Sequence, residues 1–175
     1  RPLKRVLITP LDWGLGHATR CIPVIRELQS KKCDVFIAGS GDSLELLRRE
    51  FPNLPVFSLP GYAPRYPAHG SMILQMVRQI PHFLKVVHDE HRAVERIIAS
   101  EKIQALISDN RYGCWSAHVP SVFITHQSNI LMPGKFGILQ SFVRKQNERL
   151  MNRFQCCWFP HFPANHSLVG DLISL

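Results

Sequence analysis

From Thr9 to Arg20 the chain reads Thr-Pro-Leu-Asp-Trp-Gly-Leu-Gly-His-Ala-Thr-Arg, and this stretch decides the fold because an apolar run ends there and a glycine turn leads into a helix. Glycines allow a tight turn and a close approach of the backbone to a ligand. The first amides of a helix are unpaired and carry the positive end of its dipole. The pattern therefore predicts an anion site, although the same turn also occurs where a helix merely packs close to a strand. The predicted binding residues are Gly14, Leu15, Gly16, Ala18 and Thr19.

His17 stands at the entrance of this predicted helix. An imidazole changes its charge near neutral pH, so at this place it could take a proton from a nucleophile held beside a bound phosphate or sugar. We therefore predict that His17 is the catalytic residue.

Strand-like and helix-like segments alternate along the chain, which predicts an α/β fold with a Rossmann-like open parallel sheet and helices on both faces. The 175 residues suffice for a single domain, 1–175, with a sizeable core. Pro23 lies early in the first predicted helix, where it costs a backbone hydrogen bond. The predicted strands lie near residues 4–9, 34–38, 55–59, 104–108, 121–125 and 155–159.

Two of the later helices carry explicit start or stop signals. The second predicted helix is expected to begin at a cap, Asp42 or Ser43, and to run to about Glu50. The third covers residues 71–100 and is expected to break at Pro81, which has no amide hydrogen to donate.

The first part of the third predicted helix is apolar on too many sides for one buried face. Such a helix either lies deep in the core or meets a membrane, and the basic residues Arg78 and Lys85 beside it would suit an anionic membrane surface. Both interpretations stay open at this point. The membrane-patch hypothesis rests on Met72, Ile73, Met76, Val77 and Phe83.

Three segments are predicted to face solvent. The loop from Pro60 to Gly70, which contains Tyr62, is rich in proline and glycine. His88-Asp89-Glu90-His91 does not have the metalloprotease spacing, so a solvated helix face is expected and no metal site. A basic amphipathic helix is expected at about 137–153.

The formal charge of +8 indicates a polyanionic partner, which could be nucleic acid, an anionic membrane or a phosphorylated substrate. No nucleic-acid motif accompanies the charge, so we expect no nucleic-acid partner. No apolar run reaches the ~20 residues of a membrane span, and the first residues do not resemble a secretory signal. We therefore expect a cytoplasmic protein that could be peripheral on the inner face of the membrane.

Two further polar clusters follow strand-like runs. Because the carboxyl ends of parallel strands meet at one edge, both clusters should lie beside the glycine turn in a ligand-binding cleft. Turn formation and structural hydrogen bonds are the alternatives. A dinucleotide site is disfavoured, because Thr19 stands where the third fingerprint glycine belongs and no acid ends the second strand. The clusters contain Asp109, Asn110, Arg111 and Tyr112 in one case, and His126, Gln127 and Asn129 in the other.

Three motifs together resemble the acceptor-binding, N-terminal domain of GT-B glycosyltransferases, and above all the MurG-like group, which transfers N-acetylglucosamine from UDP to a lipid-linked acceptor. They are Asp12-Trp13-Gly14-Leu15-Gly16-His17, Ser108-Asp109-Asn110-Arg111-Tyr112-Gly113 and Val119-Pro120-Ser121-Val122-Phe123-Ile124-Thr125-His126-Gln127. The turn has fewer glycines than that of MurG, and the acidic residue between the last His and Gln is missing.

The resemblance implies a two-domain enzyme in which this chain binds the acceptor, while a C-terminal half, absent here, binds the UDP-sugar. It assigns the catalytic base to His17 and the polar loop to His126, Gln127 and Asn129. It also implies a membrane-associated apolar patch near Met72 to Val87, and a UDP-sugar as donor substrate with no further cofactor.

The function predicted from the sequence is thus acceptor binding within an inverting, metal-independent transferase that moves a sugar, N-acetylglucosamine, from UDP to a lipid-linked or phosphorylated acceptor. Two alternatives remain open. The chain could be a non-catalytic, membrane-associated subunit that recruits a separate donor-binding chain, or half of a UDP-sugar epimerase.

Overall fold

The computed structural model of the chain describes residues 4–62, 72–125 and 145–158. For residues 72–78 it describes the backbone only. Six strands lie near their predicted places. They are β1 (Arg5–Pro10), β2 (Asp34–Gly39), β3 (Val56–Ser58), β4 (Ala105–Asp109), β5 (Ser121–Ile124) and β6 (Cys156–Trp158). The helices of the described residues are α1 (Leu15–Ser30), α2 (Gly41–Glu50), α3 (Met72–Glu101) and α4, which is described over residues 145–151.

The strands form one parallel sheet in the order β3-β2-β1-β4-β5-β6. Val6 of β1 pairs with Val35 on one side and with Ala105 on the other. The chain therefore winds outward in opposite directions from β1 and β4. A crevice opens at the carboxyl ends of such a strand pair, and α/β proteins bind ligands there.

Side chains of β1 alternate between two core clusters, one on each face of the sheet. Val6 and Ile8 pack with Ile25 of α1 in the first cluster, which also takes in α2. Leu7 packs with Val94 of α3 in the second. Strands buried on both faces are apolar throughout, which is why the strand runs could be recognised in the sequence. The predicted Rossmann-like sheet with helices on both faces is confirmed.

The predicted break at Pro81 is wrong, because α3 continues through this residue. A proline inside a helix costs about 3 kcal/mol through the lost hydrogen bond and the clash of its ring. The same helix buries Val87, Val94 and Ile98. Full burial of one aliphatic side chain contributes about 1.5–3 kcal/mol, so packing against the sheet outweighs the local cost.

The start of α2 also differs from the prediction, since its cap position is Ser40 and neither Asp42 nor Ser43. The hydroxyl of Ser40 donates to Asp12 Oδ2 at 2.8 Å. The Ser43 hydroxyl donates to the carbonyl of Gly14 at 3.0 Å. Both serines are thus engaged with the glycine turn, and these tertiary contacts replace local capping.

Phe83 is half-buried and packs at the edge of a third core cluster with Tyr62 and Val87. Its ring centroid lies 5.6 Å from that of Tyr62 and 6.0 Å from that of Tyr112. At this position burial is therefore favoured, whereas the next residue, Leu84, is 49% exposed. The side chains of Met72, Ile73, Met76 and Val77 lie outside the described residues. No helix in the described part of the chain is long and apolar enough to cross a membrane.

Candidate functional site

The glycine turn joins β1 to α1 and leaves the start of the helix open. Gly14 is the N-cap residue with φ 81°, a left-handed conformation that glycine adopts without steric cost. No side chain among the described residues caps this end, so the first helical amides remain available to an anion. Gly14, Leu15 and Gly16 are exposed, and so is Thr19, whose hydroxyl donates to the Gly16 carbonyl at 3.0 Å. The Ala18 side chain is buried.

Asp109 ends β4 beside β1, at the crevice in the middle of the sheet, and its carboxylate is fully buried. Arg20 donates to this carboxylate through two nitrogens, with Nη2 2.7 Å from Oδ1 and Nε 3.2 Å from Oδ2. The Cys21 thiol points at Oδ2 from 3.9 Å. Burial, followed by the charge of Asp109, raises the pKa of Cys21 well above its ordinary value, so the sulfur keeps its proton.

His17 completes this cluster, which we call the β4-edge site and define as His17, Arg20 and Asp109. The imidazole Nδ1 lies 3.2 Å from Asp109 Oδ2 and 2.8 Å from Arg20 Nη2. Nε2 has no hydrogen-bond partner among the described residues, and the side chain is 17% exposed. One imidazole nitrogen thus contacts a buried carboxylate while the other faces the cleft. This is the arrangement of a general base.

The helix geometry explains why these groups meet. His17, Arg20 and Cys21 stand three and four residues apart, so α1 presents them on one face. That face turns toward β4, because Ala18, Cys21 and Ile25 pack into the core beside it. Arg20 is not among the predicted site residues, although its distance of three residues from His17 is a signal that could have revealed it.

Asn110 separates the β4-edge site from a second cluster. It has φ 57°, a left-handed conformation that asparagine tolerates better than most residues. Its amide donates to the carbonyl of Ile124 at 3.0 Å, which fixes the turn against β5. Asp109 before the turn contacts α1, whereas Arg111 after it contacts α3.

Arg111 is fully buried, and each nitrogen of its guanidinium has an acceptor inside the protein. Nε donates to the Pro10 carbonyl at 2.7 Å, Nη1 to the Pro60 carbonyl at 3.1 Å and to Glu90 Oε1 at 2.5 Å, and Nη2 to Ser40 Oγ at 2.5 Å. Burial is the largest single influence and opposes its charge, but Glu90 together with Cys114 and Asp12 outweighs it, so the pKa of Arg111 is raised. This arrangement favours a role in holding the loops together over direct contact with a ligand.

Glu90 is the fully buried partner of Arg111 and accepts two further hydrogen bonds. The Tyr62 hydroxyl donates to Oε2 at 2.5 Å and the Gly113 amide donates to the same oxygen at 2.9 Å. A Cβ on Gly113 would stand 2.4 Å from the Val87 carbonyl, so only glycine allows this approach. Burial, followed by the charge of Glu90, raises the pKa of Tyr62 far above its ordinary value. We call Tyr62, Glu90, Arg111 and Gly113 the buried network.

The prediction of solvent exposure is therefore wrong at two residues, whereas His88 is exposed as predicted. Tyr62 is 5% exposed and Glu90 is not exposed at all. Glu90 follows Val86 and Val87 and precedes Val94 at helical spacing, so it lies on the buried face of α3. His91 stacks on Trp115, with ring centroids 4.1 Å apart. The described residues contain no group of three His, Cys, Asp or Glu side chains that could hold a metal ion.

Tyr112 is half-buried behind the turn. Its hydroxyl donates to Asn147 Oδ1 at 2.6 Å, and its ring lies 5.0 Å from that of Phe123. Burial raises the pKa of Tyr112 to about 12. The predicted site residues His126, Gln127 and Asn129 lie outside the described residues and stay predictions. β5, which precedes them, ends beside Asp109 through the pair Asp109 and Ile124.

Solved glycosyltransferases share this fold. The structure of MurG from Acinetobacter baumannii matches with a TM-score of 0.55 at 16% identity, covering 94% of this chain and 44% of that chain. The glycosyltransferase SnogD from Streptomyces nogalater matches with a TM-score of 0.53 at 15% identity, covering 93% of this chain and 46% of that chain. The calicheamicin glycosyltransferase CalG4 matches with a TM-score of 0.54 at 13% identity, covering 99% of this chain and 41% of that chain.

These matches confirm the resemblance to MurG and other GT-B glycosyltransferases at the level of the fold. The chain spans less than half the length of each of these three proteins. No family profile and no curated protein sequence matches it.

Proposed function

We propose that this chain is the acceptor-binding domain of an inverting, metal-independent glycosyltransferase. In this proposal the sugar, N-acetylglucosamine, comes from a UDP-sugar that a C-terminal half binds, and the acceptor is lipid-linked or phosphorylated. The glycosyltransferase fold of the chain supports the general class. The donor and the stereochemistry are parts of the proposal that rest on the sequence resemblance to the MurG-like group, while the anionic acceptor is supported by the chemistry of the site.

The observation that carries the proposal is the contact between His17 and Asp109 at the head of α1. A buried carboxylate 3.2 Å from Nδ1 can hold the imidazole with its proton on that nitrogen. Nε2 is then free to accept a proton from a substrate. The open helical amides beside it can bind the phosphate of an acceptor, and the charge of +8 suits an anionic substrate.

The proposed reaction uses these positions. His17 Nε2 takes the proton of an acceptor hydroxyl while its oxygen attacks the anomeric carbon from the face opposite UDP. The new bond between oxygen and carbon forms as the bond to the UDP oxygen breaks, and UDP leaves with the bonding electrons. Asp109 stabilises the imidazolium, and the helix amides stabilise the charge of the phosphate.

The remaining predicted residues bind the acceptor or hold the loops around it. The open backbone amides of Leu15, Gly16 and His17 bind the anionic group, beside Ala18 and Thr19, whose amides pair within the helix. Gly14, whose amide donates to the Asp12 carbonyl at 3.2 Å, shapes the turn before the helix, and Asn110 shapes the turn after Asp109. Arg111 and Tyr112 do not contact the acceptor and instead hold the loops around its binding site through buried hydrogen bonds. His126, Gln127 and Asn129 would close the cleft from the end of β5.

The test uses the full-length protein with a panel of UDP-sugars and lipid-phosphate acceptors. The proposal expects transfer to a phosphorylated acceptor with inversion at the anomeric carbon, and turnover that falls about 100-fold or more in Asp109→Asn. Interconversion of UDP-sugars without acceptor would instead indicate the epimerase. Acceptor binding without transfer, restored by a separate donor-binding chain, would indicate the recruiting subunit.

We propose further that α3 contacts an anionic membrane surface near its first half, beside basic residues such as Lys85. Leu84→Ser should then lower co-sedimentation with anionic vesicles and leave the melting temperature unchanged, because Leu84 is exposed. Phe83→Ser serves as the matched control that loses packing against Tyr62 and melts lower. Equal sedimentation with neutral and anionic vesicles would reject the membrane contact.

A further inference from the structure

Arg20 has no task in the reaction just proposed, yet its contacts are specific. Its Nη2 lies 2.8 Å from His17 Nδ1 and 2.7 Å from Asp109 Oδ1. A guanidinium nitrogen can only donate hydrogen bonds, so its contact with the imidazole requires a lone pair on Nδ1. Asp109 Oδ2, 3.2 Å from the same Nδ1, requires a proton there instead. The contact with Arg20 therefore requires an unprotonated Nδ1, whereas the contact with Asp109 requires a protonated Nδ1.

A neutral imidazole carries a single ring proton, so the two contacts correspond to two tautomers. If Nδ1 accepts from Arg20, the proton is on Nε2, and this nitrogen cannot act as a base. If Nδ1–H donates to Asp109, Nε2 has its lone pair and can act as one. The contact with Arg20 is the shorter of the two, and Arg20 already supplies donors to both oxygens of Asp109. This geometry therefore favours the proton on Nε2.

We propose that Arg20 is a positioning residue that keeps His17 in this base-incompetent tautomer until the phosphate of an acceptor draws the guanidinium away from Nδ1. The inference rests on the proposed role of His17 as base. Arg20 is 18% exposed and follows the open start of α1 by about one turn, so an anion bound there can reach it. A displacement of about 1 Å ends the hydrogen bond to Nδ1.

Asp109 stays neutralised during this change. The bond from Arg20 Nε to Oδ2 can persist while Nη2 moves, and Nδ1–H of His17 becomes a new donor to the same carboxylate. A buried carboxylate without partners would be costly, and the exchange avoids that cost. The consequence is substrate-dependent activation: water or a neutral acceptor finds no base, so the sugar donor is protected from hydrolysis.

The experiment is NMR of the imidazole nitrogens, in which long-range proton–nitrogen correlations distinguish the two neutral tautomers. Spectra are recorded at about pH 9, where an ordinary imidazole is neutral. The chain has nine histidines, and the His17 signals are identified by their loss in His17→Gln. The probe is inorganic pyrophosphate.

In the wild-type chain we expect Nε2–H without pyrophosphate and Nδ1–H at saturation. Arg20→Met should show Nδ1–H from the start and no further change. Arg26→Met is the matched control, because Arg26 lies on the same helix and pairs with exposed Glu50 away from the site. Its His17 should behave as in wild type.

Nδ1–H in the free wild-type chain, or Nε2–H in free Arg20→Met, would overturn the inference. Should Arg20→Met fail to fold, the wild-type titration decides: bound pyrophosphate that leaves the proton on Nε2, or no binding at millimolar concentration, also overturns it. The readout does not depend on transfer. A tautomer change without transferase activity would retain this inference and reject the proposed function. Transferase activity without the tautomer change would retain the proposed function and reject this inference.

Discussion

Two ion pairs of an arginine and a carboxylate, Arg20–Asp109 and Arg111–Glu90, lie at the end of β4 and differ in their exposure to solvent. Asp109 and Glu90 are both fully buried, and each binds an arginine. In the buried network Arg111 is not exposed at all, whereas in the β4-edge site Arg20 is 18% exposed. The two sites are thus built from the same chemistry within a few residues of each other.

The difference lies in which polar groups are satisfied. In the buried network, each guanidinium nitrogen of Arg111 reaches an acceptor of the protein, and Glu90 accepts from three donors. In the β4-edge site, His17 Nε2 has no hydrogen-bond partner among the described residues, and beside the site no described side chain caps the first amides of α1. Fully satisfied polar groups hold a structure together, while unsatisfied groups at a cleft are available to a ligand.

The largest effect on stability is expected from Glu90→Gln, which leaves the charge of Arg111 buried without a counter-ion. Removing one member of a buried ion pair lowers the free energy of unfolding by about 3–5 kcal/mol. Urea denaturation of the chain measures this loss. Glu50→Gln is the control, because Glu50 pairs with Arg26 at the surface and should change stability little. Equal losses in the two variants would show that the buried network does not hold the loops.

A double-mutant cycle sharpens the same point. Because Glu90 and Arg111 are in direct contact, Glu90→Gln and Arg111→Met together should destabilise less than the sum of the single changes, with a coupling energy of about 1–3 kcal/mol. The parallel cycle on Arg26 and Glu50 should give a coupling near zero. Additive single effects at the buried pair would contradict the comparison.

Alkaline pH should weaken the buried network through Tyr62. Its folded-state pKa is raised by burial and by Glu90, while an unfolded tyrosine ionises near pH ~10. The stabilisation is therefore complete below that pH and is lost as pH rises above it, with a slope of up to about 1.4 kcal/mol per pH unit. Tyr62→Phe should show a shallower decline between about pH 10 and 11 in chemical denaturation. A wild-type slope no steeper than that of the variant would contradict this role of Tyr62.

The sequence predicts the fold well because the signals for it are local. Buried parallel strands are short apolar runs, and the glycine turn before His17 marks the strand-to-helix junction. Since carboxyl ends of parallel strands share one edge, Asp109 could be placed near this turn without coordinates. The distance of 3.2 Å between His17 and Asp109 is what the structure adds.

The buried network could not be predicted in the same way, because its partners are far apart in the sequence. Glu90 stands in a polar run and is separated from Arg111 by 21 residues. Its helical spacing from Val87 and Val94 was the available signal, and the charges around it concealed that signal. Pro81 shows the same limit, since a local rule predicted a break that packing of α3 overrides.

Whether the β4-edge site performs chemistry while the buried network holds structure is decided by His17→Ala in the full-length protein. Single-turnover transfer should be measured beside a melting curve for the same variant. We expect transfer lower by about two to four orders of magnitude at a nearly unchanged melting temperature. A variant that melts several degrees lower and transfers sugar within about threefold of wild type would contradict it.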